Sequence, residues 1–159
     1  MAFDASRGKL SYNANGSLDD EAGSSLFDAV PCSQLRKAVL FLGGSLDDEA
    51  GRSLFDAVPC SQLRKVVLFL GRSLDDEAGS SLFDAVPCSQ LRKVVLFLGG
   101  TKVRAKACVA LNTALKPAQG LEELTLDLGD SPVDDAASSS VFDNVTGTKL
   151  REFSLYLPR

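Results

Sequence analysis

Three contiguous 28-residue units, Gly16–Gly43, Gly44–Gly71 and Arg72–Gly99, differ only at Gly16/Gly44/Arg72, Ser24/Arg52/Ser80 and Ala38/Val66/Val94. Near-identical units must adopt the same local structure and meet the same neighbours, so the fold has to be a stack of like elements. Two diverged units follow at 100–129 and 130–158. In them Leu121–Gly129 and Leu150–Pro158 replay the run Leu35–Gly43, and Val133–Val145 matches Leu46–Val58. The register also extends backwards and lays Lys9–Asn15 over Lys37–Gly43, which predicts a worn first strand in a degenerate N-terminal piece, residues 1–15. The chain therefore reads as one domain, 1–159, with repeats 16–43, 44–71, 72–99, 100–129 and 130–158.

Each unit switches between two hydrophobic periods. Leu46, Ala50, Leu54 and Val58 recur every fourth residue with Phe55 beside them, the spacing of one helical face. Ser45 is placed to cap that helix, and Asp47, Asp48 and Glu49 lie in its first turn, where the positive end of the helix dipole favours acids. Pro59 ends it, because the residue before a proline is pushed out of helical geometry. The following run Val66–Leu70 is apolar on both sides and does not reveal which face is buried. The diverged copies do, because Thr125, Asp127, Ser154 and Tyr156 alternate with apolar residues. Val66, Leu68 and Leu70 are thus expected to point inward and Val67 and Phe69 outward.

With 159 residues, 45% of them apolar and 24% charged, the chain can bury a core of ordinary size. A net charge of −4 disfavours long-range attraction to nucleic acid or to anionic lipid. No apolar run approaches the roughly 20 residues of a membrane span. The first residues lack the basic and then apolar pattern of a signal peptide, so a cytoplasmic protein is expected.

A helix, a tight turn and a short strand of the form Leu-x-x-Leu-x-Leu recur in every unit: Leu63, Val66, Leu68; Leu91, Val94, Leu96; Leu121, Leu124, Leu126; and Leu150, Phe153, Leu155. This pattern resembles the leucine-rich repeat, and the helical half Leu46–Leu54 resembles its ribonuclease-inhibitor-like subfamily. The small pair Ala50-Gly51 sits where that subfamily packs its helices closely. The resemblance implies an α/β fold, a right-handed solenoid in a short horseshoe arc, with a parallel sheet on the concave face and parallel helices on the convex face. It also implies that protein partners bind the concave face. One departure is clear: the family usually has asparagine just after the strand, where this chain has Gly43, Gly71, Gly99, Gly129 and Pro158, and only Asn15 fits. A looser turn without a side-chain hydrogen-bond ladder, and lower stability, are expected from it.

Stacking turns each outward position into a column. One holds Lys37, Lys65, Lys93, Glu123 and Glu152; a second holds Val39, Val67, Val95, Thr125 and Ser154; a third holds Phe41, Phe69, Phe97, Asp127 and Tyr156. An exposed apolar patch of this kind marks a contact surface or an aggregation liability, although identical phenylalanines can also simply pack on one another. The candidate partner-binding residues are Lys37, Lys65, Lys93, Val39, Val67, Val95, Phe41, Phe69, Phe97, Asp127 and Tyr156.

Other clusters suggest no chemistry. The triplets Asp19–Glu21, Asp47–Glu49 and Asp75–Glu77 lack the alternating ligands and central glycine of a calcium loop and read as helix-end stabilisation. Cys32, Cys60 and Cys88 lie 28 apart with no histidine in the chain, which fits small half-buried thiols rather than zinc ligands or a thiol site. Cys108 is expected in the core. Thr101–Lys106 puts positive charge at a helix start, an unfavourable arrangement that reads as a solvated face or a local anion contact. Ser138–Ser140 has no accompanying triad. No catalytic, cofactor or metal site is expected. The expected function is a non-catalytic protein-interaction scaffold; the alternative is a structural, self-associating solenoid or a fragment of a larger one.

Overall fold

Alternation along the strand segments puts every second side chain into one apolar layer, and that layer dictates the sheet. A computed structural model of the chain describes residues 2–14, 34–43, 62–72, 74–85, 90–134, 139 and 149–156. The described strands are β1 (Ala2–Asp4), β2 (Lys9–Ala14), β3 (Lys37–Leu42), β4 (Lys65–Leu70), β5 (Lys93–Phe97), β6 (Glu123–Asp127) and β7 (Glu152–Tyr156). They form one sheet in sequence order, with β2 to β7 parallel and β1 antiparallel to β2. Helix α1 (Asp76–Ala85) lies in the β4–β5 connection and α2 (Ala105–Leu115) in the β5–β6 connection.

Inward residues line up by repeat position. Ala38, Val66, Val94 and Leu124 make one column and Leu40, Leu68, Leu96 and Leu126 another, each residue at most 1% exposed. They join Leu74, Leu82, Phe83, Val103 and Leu111 from the helical segments in a single core. Each leucine so buried contributes ~2 kcal/mol of transfer free energy. The two assigned strand faces are observed as expected: Val66, Leu68 and Leu70 are buried, while Val67 and Phe69 are only half-buried.

Register passes from strand to strand through a repeated backbone device. The Arg64 and Lys65 N–H groups both donate to the Arg36 carbonyl, at 2.9 and 3.1 Å, and Arg92 and Lys93 donate likewise to Arg64. The expected worn strand is present, with Lys9 opposite Lys37 and Ala14 opposite Leu42. The sequence did not announce β1. Its hairpin turns on Asp4, whose Oδ1 accepts from the Ser6 N–H and hydroxyl, and three residues make it a short, blunt edge.

The described connections show what holds two helix starts and the turns. In the third repeat the helix cap is Asp75, whose Oδ1 accepts from the Glu77 and Ala78 N–H groups at 3.1 and 3.0 Å, two residues beyond the serine position singled out at Ser45. The cationic start of the fourth helix meets carboxylates of the third repeat. Asp76 reaches across from the third repeat and accepts from the Arg104, Lys106 and Ala107 N–H groups at 2.7, 3.2 and 2.9 Å, while the Lys106 ammonium pairs with Glu77. Four orphan N–H groups open any helix, and here a neighbouring repeat satisfies three backbone donors of that start.

At the turn after β4 the backbone stacks closely on the turn before it. At Gly71 a Cβ would lie 2.4 Å from the Gly43 carbonyl oxygen, so close backbone stacking requires glycine there. Side-chain hydrogen bonding comes from hydroxyls instead of asparagine: Thr101 Oγ1 and Ser131 Oγ both donate to the Leu98 carbonyl, at 2.7 and 2.6 Å. The small pair acts as expected in the third repeat. Gly79 lets α2 approach α1 so closely that a Cβ would sit 3.2 Å from both Val103 and Ala107. The helices of the first two repeats, Ser45, Asn15, Pro158, the triplets Asp19–Glu21 and Asp47–Glu49, Cys32, Cys60, Cys88, Ser138 and Ser140 lie outside the described residues.

Candidate functional site

The sheet face opposite the core gathers all of the candidate residues. In-register pairing sets Lys37, Lys65, Lys93, Glu123 and Glu152 side by side, then Val39, Val67, Val95, Thr125 and Ser154, then Phe41, Phe69, Phe97, Asp127 and Tyr156. Neighbouring strands lie about 4.8 Å apart, so each column is a continuous stripe. Phe41, Phe69 and Phe97 form a stack with ring centroids 4.3 Å apart and planes 6° from parallel at each step. The rings pack on each other, and the Phe41 end of the stack is open to solvent. Phe41 is 39% exposed, and Tyr156 at 59% stands apart from the stack, beyond Asp127.

Electrostatics divide the lysine stripe. Lys93 is paired with Glu123 of the next strand, whereas among the described residues no carboxylate pairs with Lys37 or Lys65. Burial, followed by the ammonium groups of Lys37 and Lys93 on either side, pushes Lys65 below the usual lysine value. The hydrogen bond from Lys93, with the positive charges of Lys93 and Lys65, holds Glu123 below the usual carboxylate range. Asp127 is occupied locally, its Oδ1 accepting from the Gly129 N–H at 3.0 Å. Arginines flank the stripe at the strand starts: Arg92 Nη1 meets Glu122 at 2.6 Å, and Arg64 Nη1 donates to the Gln90 carbonyl and side-chain oxygens, each at 3.3 Å. Lys9 extends the lysine stripe onto β2 and was absent from the candidates, although the 28-residue register that places it opposite Lys37 was visible.

Two groups elsewhere among the described residues, Asp76 and Cys108, are engaged or buried. Both Asp76 oxygens serve the α2 backbone. Cys108 is 2% exposed, and burial, with the Asp76 and Asp134 charges, pushes its thiol from 9.0 up to about 11. A rise of two units leaves ~100-fold less thiolate at neutral pH, before any loss of access. Brief alkylation with iodoacetamide at pH 8, read by peptide mapping, is therefore expected to leave Cys108 unmodified in the native chain and to label it after unfolding. Labelling at equal rates in both states would contradict its placement. The sign of the linkage also follows: the raised thiol stabilises the fold below its ordinary value, and that contribution is lost as pH rises towards about 11.

Among the described residues, no helix is long and apolar enough to cross a membrane. No protein-family model matches the chain, and no curated protein matches it.

Proposed function

We propose that the chain is a leucine-rich-repeat protein of the ribonuclease-inhibitor-like kind, a right-handed solenoid that binds a protein partner on its concave sheet face and carries out no catalysis. The observation that supports this reading is the in-register stripe of lysines, valines and stacked phenylalanines on the face opposite the core. Parallel strands in sequence order, with helices in the β4–β5 and β5–β6 connections, agree with the resemblance. Repetition supplies rows of like groups, which suits an extended contact surface, whereas catalysis needs unlike groups converging on one point. A cytoplasmic setting belongs to the same proposal and accords with the free, buried thiol of Cys108.

The experiment is affinity capture with three forms of the chain. Wild type and a helix-side variant, Val109→Lys, should retain the same partner, and Phe41→Ser/Phe69→Ser/Phe97→Ser should lose it while remaining folded by circular dichroism, with an unfolding midpoint lowered by the loss of the two ring stacks. Unchanged capture by the triple variant would sink the proposal. A second reading, self-association, is favoured by β7, where Leu155 is only half-buried although Leu126 beside it is fully buried. Light scattering across a dilution series separates the two, since a concentration-independent monomer argues against self-association.

A further inference from the structure

The stripe Lys9, Lys37, Lys65 repeats one positive charge at each step across the sheet, and the structure already displays what neutralises it. One strand further on, Glu123 pairs with Lys93. Like charges directly opposite one another on paired strands repel, so a row of carboxylates laid along the open part of the stripe would relieve that repulsion. Lysine and phenylalanine columns are four residues apart along each strand, about 13 Å. That width accommodates one α-helix, about 10–12 Å across with its side chains.

Pitch discriminates between backbone forms. Residues on one helical face, spaced by three or four positions, recur at about 5.2 Å along the axis, close to the 4.8 Å strand spacing. Over three strands a helix drifts from the lysines by only ~1 Å, whereas an extended peptide, with same-face side chains every ~6.7 Å, drifts by ~4 Å. Beside the valines, Ala2, Ser11, Asn13 and Phe41 line a depression of about 270 Å³ at the exposed end of the ring stack. It offers a seat for one bulky apolar side chain of such a helix.

Resting on the reading that this face binds a partner, we infer that the partner presents an amphipathic helix with a carboxylate stripe beside an apolar one, lying across β2, β3 and β4. Its carboxylates meet Lys9, Lys37 and Lys65, and its apolar residues cover Val39 and Val67. A second copy of this chain is a poorer occupant, because among its described sheet-face carboxylates Glu123 and Asp127 are already engaged, and Glu152 alone does not make a row to match three lysines.

The test uses the full chain and synthetic helical peptides about four turns long, followed by fluorescence anisotropy. The first peptide carries glutamates at every third or fourth position next to a leucine stripe. The second has the same composition with the glutamates moved to the opposite face, and the third has glutamine for glutamate. Binding of the first alone is expected, weakening about tenfold or more with Lys37→Glu/Lys65→Glu and falling with added salt. A lysine-striped peptide should bind that variant and not the wild type. Circular dichroism and the unfolding midpoint verify that the variant is folded. Equal binding of the first two peptides, no binding of the first, or binding indifferent to the charge reversal overturns the inference. So does a concentration-dependent dimer that competes with the peptide, which would assign the face to a second copy. If the phenylalanine variant loses a captured partner that presents a basic or extended segment, this inference fails and the wider reading stands.

Discussion

Leu68→Ala is expected to lower the unfolding free energy by about 4 kcal/mol, measured by urea denaturation. Leu68 is fully buried on the inner face of β4, with Leu40 and Leu96 directly opposite it on the two flanking strands. Strands held on both sides by backbone pairing cannot close on the space left, so the residual cavity adds to the lost transfer energy and puts the cost near the top of the usual ~2–5 kcal/mol range. That would be a large share of a typical domain stability of ~5–15 kcal/mol. Val67→Ala, one residue along on the outer face, should cost less than about 1 kcal/mol. Equal losses from the two substitutions would show that the faces are wrongly assigned.

Asp76→Ala is expected to cost about 2 kcal/mol and to release the start of α2. Its carboxylate serves three backbone N–H groups of the next repeat, and charge-assisted caps of this kind contribute more than an exposed ion pair does. Amide exchange at Lys106 and Ala107 should quicken roughly 30-fold, the factor that 2 kcal/mol of local opening implies. Glu77→Ala removes only the exposed pair with Lys106 and should cost at most ~0.5 kcal/mol. Asp76→Asn, which keeps an acceptor but no charge, should fall between the two. Unaltered exchange at Lys106 and Ala107 in Asp76→Ala would show that the cap does not hold the helix.

The parts of this fold legible in the sequence are those a period can carry. Alternation in Leu124–Leu128 and Phe153–Leu157 assigned the two strand faces, and the 28-residue shift placed Lys9 over Lys37, as the pairing shows. What eluded periodicity depends on groups that side-chain patterns do not name. Asp76 is read from its own helix as a first-turn acid, yet its partners are backbone donors one repeat away. The hydroxyls at Thr101 and Ser131 stand at a position that is Ser17, Ser45 and Ser73 in the other repeats, so their column was visible. Its helical reading is a cap at Ser45, whereas Thr101 and Ser131 turn their hydroxyls to the Leu98 carbonyl. Strand β1 is too short to show a period at all. On the site face, the repeat register and the alternation in the diverged strands located the lysine, valine and phenylalanine stripes. That Lys93 is paired with a carboxylate, while Lys37 and Lys65 have none among the described residues, follows from the change of sign between the third and fourth repeats, which matters only once β5 and β6 are known to be neighbours.

Lysine acylation, mapped by mass spectrometry with and without a bound partner, tests the assignment of the sheet face most directly. Lys37 and Lys65 stand on that face, while Lys102 and Lys116 are exposed on the segments flanking α2. The residues after each sheet lysine differ, Ala38 against Val66, so the peptides can be told apart. Partner binding on the sheet predicts strong protection of Lys37 and Lys65 with Lys102 and Lys116 unaffected; protection of Lys102 and Lys116 with Lys37 and Lys65 still fully reactive would contradict it.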